Sequence, residues 1–267
     1  MNIELNLEQL TEEVKKLAVL NGAMVRDERS KFERGKVEKK AAHDYVSYVD
    51  KESEKRLVGK LHELLPSAGF ICEEGSAGLN DEEFYWVVDP LDGTTNFIHN
   101  LTPYCISIAL RSKKELLIGV VYECTRNELF WAYKGSKAYL NGEEIHCTNI
   151  DKVDDALVEL GFPYNAEAFR DFETKLVNRL YGNACGLRLI GACATELCYI
   201  AAGRAEARVE GLLGPWDVAA GALILMQAGG RITDFSGGDN FYSGKEVLAT
   251  NGLIHDEMLK IVNEIRG

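Results

Sequence analysis

The chain has 267 residues, 46% of them hydrophobic, which is enough for one large α/β unit whose core needs no disulfide or structural metal. Its 42 acidic residues exceed its 30 lysines and arginines, and the formal net charge of −12 argues against nucleic-acid backbones and anionic membranes as main partners. Seven cysteines without a Cys-x-x-Cys pair, no signal-peptide core and no bilayer-length apolar run predict a reduced, soluble, cytoplasmic protein.

The spacing of apolar residues predicts an amphipathic helix over about 7–31 and a second helix from Asp50 to about Leu65. Strands are predicted at about 69–73, 84–89, 104–111, 116–123 and 128–133, followed by a tight hairpin turn at Asn141-Gly142. The second half is predicted to contain strands near 157–160, 187–190 and 205–210, helices at 166–181, 193–202 and 216–228, a strand pair around 231–234 and 246–249, and a helix from about 255.

This order of elements predicts an α/β (α+β) fold in which helices sandwich two sheets. The chain carries no internal repeat, low-complexity tract or linker. We therefore predict a single domain over residues 1–267, with two tightly packed lobes of about 1–150 and 151–267.

The most informative stretch follows the apolar run 84–88, which predicts a buried strand ending at Asp89. Asp89 and Asp92 lie three residues apart across a turn that Pro90 stiffens, so their carboxylates can converge. Gly93 allows a close backbone approach, and the two threonines after it can open a helix whose free N–H groups suit a phosphate. Because carboxylates repel a phosphate unless a cation lies between them, this pattern predicts a Mg²⁺-dependent phosphate site; an ordinary Asp-Gly turn is the alternative.

The whole string from Asp89 to Asn96 resembles the metal-binding signature of the inositol monophosphatase family, which belongs to the lithium-sensitive, Mg²⁺-dependent phosphatases related to fructose-1,6-bisphosphatase. Three further segments resemble that family: 43–50 with its acidic end, 70–75 with its Glu-Glu pair, and 214–221 with its Trp-Asp pair. With Asn141-Gly142 and Gly229-Gly230, the resemblance spans nearly the whole chain. It implies the layered α-β-α-β-α sandwich of the sugar phosphatase superfamily.

The resemblance also implies a set of metal ligands for two or three Mg²⁺ ions. Asp89 would bridge two ions, Glu73 and the Leu91 carbonyl would complete one site, and Asp92 with Asp217 would complete the other. Asp217 alone has a second interpretation, because an acidic residue in the first turn stabilises a helix without any metal.

Thr94 and Asp50 are the implied pair that orients and deprotonates the attacking water, with Glu73 as a further catalytic carboxylate. Asp50 can equally be the N-cap of the second helix, and both roles can hold together. Backbone N–H groups of Gly93 and Thr94 are expected to hold phosphate oxygens.

Glu210 matches the family position that accepts hydrogen bonds from ring hydroxyls. The full set of implied substrate contacts is Asp92, Gly93, Thr94, Gly191, Ala192, Cys193, Glu210 and Asp217. The chain departs from the usual family pattern at four positions: Cys193 for Ala, Glu196 for Asp, Tyr45 for Leu and Ser47 for Thr. These departures concern ring specificity more than phosphatase chemistry.

The resemblance implies a homodimer that hydrolyses inositol monophosphate to inositol and phosphate. The alternatives are a 3′(2′),5′-bisphosphate nucleotidase, although those enzymes usually carry Lys-Glu where this chain has Thr95-Asn96, and a fructose-1,6-bisphosphatase. A haloacid-dehalogenase-type phosphatase is excluded, because its Asp-x-Asp-Gly-Thr motif would need a nucleophilic aspartate at position 90, where this chain has Pro90. From a different class, a non-catalytic relative that binds phosphate or a partner protein stays open.

Overall fold

A computed structural model describes residues 5–32, 38–41, 44–46, 48–75, 81–163, 166–243 and 245–267. The helices of this part are α1 Leu7–Ser30, α2 Tyr48–Leu64, α3 Thr94–His99, α4 Ala166–Leu180, α5 Cys193–Ala201, α6 Pro215–Gln227 and α7 His255–Arg266. Its strands are β1 Glu38–Ala41, β2 Asp44–Val46, β3 Gly69–Cys72, β4 Phe84–Asp92, β5 Cys105–Ser112, β6 Leu116–Glu123, β7 Glu128–Tyr133, β8 Ala138–Leu140, β9 Glu143–Ile145, β10 Leu157–Leu160, β11 Gly186–Arg188, β12 Ala207–Gly211, β13 Arg231–Thr233 and β14 Glu246–Thr250.

The strands form two large sheets and one small hairpin. The larger sheet has the order β3-β4-β5-β6-β7-β8-β9, in which only β3 and β4 run parallel. The smaller has the order β11-β10-β12-β14-β13, with β10 parallel to both of its neighbours and β14 antiparallel to its own. The hairpin pairs β1 with β2 and has no counterpart among the predicted elements.

Alternation along each strand directs side chains into different layers of the core. On β4, Trp86 and Val88 join the cluster beneath α1 and α2, whereas Val87 faces the cluster that contains α5 and α6. On β14, Val247 faces the same α5–α6 cluster, and Leu248 packs outward against α4 and α7. The layers are therefore α1/α2, the larger sheet, α5/α6, the smaller sheet and α4/α7, which is the predicted α-β-α-β-α order.

Most predicted elements are found within a few residues of their expected bounds, and two differences bear on the site. Strand β4 continues to Asp92 instead of ending at Asp89. Its register with β5 is irregular there, because Asp89 lies opposite Ser107 and Asp92 lies opposite Cys105. Pro90 explains the irregularity, since it has no N–H for the ladder. Helix α2 begins at Tyr48, so Asp50 lies inside its first turn, and the N-cap prediction is wrong.

The predicted hairpin turn is confirmed, because Asn141 and Gly142 have φ of 51° and 92° and join β8 to β9. The predicted departures at Ser47 and at the Tyr45 side chain lie outside the described residues. None of the described helices combines the length and apolar character needed to cross a bilayer.

Candidate active site

Three aspartates from distant parts of the chain meet between the two sheets. Asp89 and Asp92 come from the irregular end of β4, and Asp217 lies in the first turn of α6. One carboxylate oxygen from each lies within 4.8 Å of those of the other two. Asp89 and Asp92 are buried and Asp217 is half-buried. The structure therefore brings together the predicted metal-binding aspartates.

Each of these carboxylates is oriented by a backbone N–H group. Leu91 N donates to Asp89 Oδ1 at 2.9 Å, which closes the Pro90 turn. Ala194 N, in the first turn of α5, donates to Asp92 Oδ2 at 2.8 Å. Gly214 N donates to Asp217 Oδ2 at 2.6 Å at the start of α6. Two helix N-termini thus hold two of the three carboxylates, where the helix dipole favours negative charge.

All three aspartates have raised pKa values, and burial is the largest cause for each. Burial raises the pKa of Asp89 well above its usual range, and the negative charges of Glu73, Asp92 and Asp217 raise it further. Burial raises the pKa of Asp92 to about 6, against the opposing effect of the Ala194 hydrogen bond. The pKa of Asp217 is raised by burial and by Asp92 and Glu73. A divalent cation among these oxygens would remove the repulsion, and an all-oxygen donor set suits Mg²⁺.

Glu73 lies on the wall of the same pocket, outside the group of three aspartates. Its backbone is held on both sides, because Glu73 N donates to Val88 O at 3.3 Å and Glu74 N donates to Glu54 Oε2 at 2.7 Å. The Glu73 charge raises the pKa values of Asp89 and Asp217, so it belongs to the same electrostatic site.

Thr94 and Asp50 form the contact that the resemblance implies. The Thr94 hydroxyl lies 2.9 Å from Asp50 Oδ1 and also 2.9 Å from the Leu91 carbonyl oxygen. Asp50 is buried in α2, and the same helix presents Ser53, whose hydroxyl donates to Pro90 O at 2.7 Å. Helix α2 therefore fixes the Asp89–Thr94 segment from behind.

Gly93 occupies a position that disfavours a side chain. Its φ is +85°, and a Cβ there would lie 3.0 Å from Pro103 O and 3.2 Å from the Ala192 Cβ. Asn96 closes the other side, because its amide donates to Pro103 O and to Ile190 O, each at 2.9 Å. The start of α3 is thereby tied to the turn that precedes α5.

The pocket above these groups has a volume of about 570 Å³. The predicted substrate contacts that line it are Asp92, Gly93, Gly191, Cys193, Glu210 and Asp217. Thr94 and Ala192 adjoin lining residues in the chain, and Asp89 and Leu91 are buried. Exposed apolar side chains, Phe162, Leu189 and Leu212, also line it. The pocket thus combines the carboxylate cluster with an acidic wall at Glu210 and an apolar part formed by these three side chains.

Comparison with known proteins agrees with this geometry. The inositol monophosphatase family model matches residues 6–266. The chain belongs to the inositol monophosphatase family.

Relatives of known sequence and structure cover most of the chain. It is 35% identical over 230 residues to the fructose-1,6-bisphosphatase/inositol-1-monophosphatase of Thermotoga maritima, a match covering 86% of this chain and 87% of that one. It is 37% identical over 221 residues to the Nus factor SuhB of Escherichia coli, covering 82% and 83% of the two chains. The crystal structure of the Bartonella henselae extragenic suppressor protein suhB superposes with a TM-score of 0.88 at 30% identity, covering 97% and 98%. The Thermotoga maritima IMPase gives a TM-score of 0.86 at 33% identity, covering 95% and 96%.

Within this family fold, sequence reasoning missed a buried charge network behind the pocket. Arg208 forms ion pairs with Glu196 and Glu210, and Glu159 lies opposite Arg208 in the register of β10 with β12. The signal was present, because residues 208 and 210 must share one face of β12, opposite the apolar Val209. Glu54 was missed in the same way, although it lies on the buried stripe of α2 with Asp50.

Proposed function

We propose that this protein is a Mg²⁺-dependent phosphomonoesterase whose main substrate is an inositol monophosphate. The observation that carries the proposal is the convergence of Asp89, Asp92 and Asp217 within 4.8 Å, beside the Thr94–Asp50 hydrogen bond. The carboxylate cluster has the donor set for divalent cations, and the hydroxyl–carboxylate pair lies next to it.

The three aspartates, with Glu73 and the Leu91 carbonyl, would hold two or three Mg²⁺ ions, which when bound supply Lewis-acid activation of water and of the leaving oxygen. The Thr94 hydroxyl donates to Asp50, so its oxygen can accept a hydrogen bond from water and orient it toward phosphorus. The water gives its proton to the Thr94 oxygen as the Thr94 hydroxyl gives its own proton to Asp50. Glu73 lies on the wall of the same pocket. The N–H groups of Gly93 and Thr94 bind the phosphate oxygens.

The alcohol part of the substrate would lie against Glu210 and the turn 191–193. Glu210 accepts hydrogen bonds from vicinal hydroxyls, whereas small residues in the turn leave room for a ring. The cavity of about 570 Å³ falls within the size range of small-molecule sites. Hydrolysis forms a bond between the water oxygen and phosphorus, breaks the ester P–O bond, and returns a proton to the leaving alkoxide.

Two further candidates have specific support. A relative named fructose-1,6-bisphosphatase/inositol-1-monophosphatase favours activity on a sugar bisphosphate, and the apolar side chains in the pocket suit the base of a 3′(2′),5′-bisphosphate nucleotide. A relative named as a Nus factor supports a role in binding a partner, so the expected absence of nucleic acid among the partners stays a prediction. Lithium sensitivity, a homodimer, a cytoplasmic location and a single two-lobed domain over residues 1–267 complete the proposal.

A substrate panel with an Asp89→Asn control tests this proposal. Inositol-1-phosphate, 3′-phosphoadenosine-5′-phosphate and fructose-1,6-bisphosphate are compared at saturating Mg²⁺ and in EDTA, with released phosphate measured. We expect the highest kcat/KM for inositol-1-phosphate and a loss of at least about 1,000-fold in Asp89→Asn, because an amide cannot neutralise the cations. Equal phosphate release by the folded Asp89→Asn variant would reject the metal assignment, and release unaffected by EDTA would reject metal dependence.

A further inference from the structure

Arg208 lies behind the pocket as a buried cation among three acids, Glu159, Glu196 and Glu210. Alternation on β12 turns Val209 toward α4 and α7 and therefore turns Arg208 and Glu210 inward, toward α5. Arg208 is 1% exposed yet lines the pocket. It forms ion pairs with Glu196 and Glu210, whose side chains are 0% and 11% exposed.

The two acids that Arg208 holds belong to two parts of the pocket. Glu210 lines the pocket, on the wall against which the proposed function places the substrate alcohol. Glu196 lies in α5, and its Oε2 accepts a hydrogen bond from Ala192 N at 3.1 Å, which fixes the turn before that helix. The same helix start donates from Ala194 N to Asp92 at 2.8 Å. One guanidinium therefore joins the alcohol wall to the turn before α5, whereas Asp92 is held by a backbone N–H group of that helix.

The Glu210 carboxyl group lies between the Gly161 backbone, Arg208 and the open pocket. A Cβ on Gly161 would lie 2.0–2.4 Å from the Glu210 carboxyl atoms, so this carboxyl group packs directly on the Gly161 backbone. Burial raises the pKa of Glu210, and the Arg208 charge acts against that rise. Arginine suits this task, because its planar fork holds two carboxylates in fixed directions where lysine supplies a point charge.

We propose that Arg208 is a positioning residue that determines substrate specificity: it holds Glu210 as an acceptor for substrate hydroxyls and, through Glu196, holds the turn 191–193 beside it. This inference rests on the proposed function. It assigns the preference for polyol esters to a buried cation that need not itself contact the substrate.

Kinetics of Arg208→Met test the inference on two substrates, inositol-1-phosphate and the hydroxyl-poor ester p-nitrophenyl phosphate. We expect KM for inositol-1-phosphate to rise by about tenfold or more, with kcat/KM for p-nitrophenyl phosphate within about threefold of wild type. Arg208→Lys should give an intermediate KM, since it keeps the charge and loses the fork. Arg204→Met is the matched control, because Arg204 pairs bidentately with Glu128 away from the pocket lining. Equal losses on both esters would show that Arg208 has only a structural role.

If Arg208→Met does not fold, the double variant Arg208→Met/Glu196→Gln replaces it. The double variant removes one buried charge of each sign and therefore leaves no unpaired negative charge at position 196. It should show the same substrate-selective rise in KM, because Glu210 has lost its cation in both variants. An unchanged ratio of the two kcat/KM values would overturn the inference.

Hydrogen exchange separates a failure of this inference from a failure of the proposed function. In Arg208→Met the amides of residues 189–193 should exchange at least about tenfold faster than in wild type, with α1 unchanged. If the wild type hydrolyses no ester, the proposed function fails while the exchange measurement still decides the positioning role. Unchanged exchange at 189–193 would reject that role.

Discussion

Gly93→Ala is the substitution whose consequences the structure defines most sharply. Residue 93 has φ of +85°, a left-handed conformation that costs an L-residue about 1–2 kcal/mol. The added Cβ would also lie 3.0 Å from Pro103 O, 3.2 Å from the Ala192 Cβ and 3.3 Å from the Tyr104 Cα. Such crowding typically costs about 1–3 kcal/mol. The free energy of unfolding should therefore fall by about 2–5 kcal/mol.

Gly135→Ala is the matched control. Gly135 has φ of +86°, and a Cβ there would meet nothing within 4 Å. The free energy of unfolding of Gly135→Ala should fall only by the conformational cost of the left-handed backbone, about 1–2 kcal/mol. The loss of unfolded-state entropy on replacing glycine by alanine stabilises both variants equally. The difference between the two variants isolates the contact of Gly93 with its neighbours.

Urea denaturation measures the two free energies, and Mg²⁺-dependent phosphate release measures activity. Because Gly93 separates Asp92 from Thr94, the backbone shift that relieves the contacts displaces a metal-site carboxylate and the hydroxyl that orients water. Misplacement of about 1 Å can cost about 100-fold, so we expect at least that loss in kcat/KM for Gly93→Ala and none for Gly135→Ala. Equal destabilisation of the two variants, with Gly93→Ala retaining activity within about threefold, would refute the reasoning.

Three further predictions concern the cation site, the alcohol wall and stability. Millimolar Li⁺ should inhibit by replacing one Mg²⁺, measured as a loss of phosphate release whose extent changes with the Mg²⁺ concentration. Full insensitivity to Li⁺ in a Mg²⁺-dependent enzyme would contradict the lithium-sensitive site that the resemblance implies. Glu210→Gln should raise KM for inositol-1-phosphate by about tenfold and leave Mg²⁺ affinity unchanged, and a weakened Mg²⁺ affinity would remove Glu210 from the alcohol wall. His255 is buried between Thr233 and Thr250, at 3.0 and 2.9 Å, and burial lowers its pKa to about 4. Its contribution to stability should therefore be lost as pH falls from about 6.5 through 4, and His255→Gln should show a shallower loss by urea denaturation; identical pH profiles would contradict this.

The sequence predicted the parts of the fold that depend on local pattern. Helix α1 and strands β6 and β7 were expected within a residue of their observed bounds, because their apolar spacing is regular and long enough to be distinctive. The bounds were less accurate where a tertiary contact extends an element. Strand β4 reaches Asp92 because β5 continues to pair with it beyond Pro90, which no local propensity indicates.

The residues of the candidate site could be predicted from the sequence, whereas most of the hydrogen bonds and ion pairs that hold them in place could not. The spacing of Asp89 and Asp92 on one turn gave their convergence, whereas the approach of Asp217 was implied only by resemblance. Nothing local identified Ala194 N as the donor that orients Asp92, because the two residues lie 102 positions apart. The ion pairs of Arg208 also depend on how α5 packs on the smaller sheet, which alternation along one strand does not determine.

The anchoring of the aspartates explains how a folded protein can retain this cluster of negative charges. Asp92 and Asp217 stabilise the starts of α5 and α6, so each carboxylate contributes to folding through one oxygen. Burial raises the pKa of Asp92 from 3.8 to about 6, and burial together with the charges of Asp92 and Glu73 raises the pKa of Asp217, so ionisation of these carboxyl groups opposes folding as pH rises from about 3.8 through 6. A bound divalent cation would cancel the repulsion and leave the helix contacts in place. Cation binding should therefore stabilise the fold more strongly above pH 6 than below it, because only the ionised cluster both repels itself and attracts the cation.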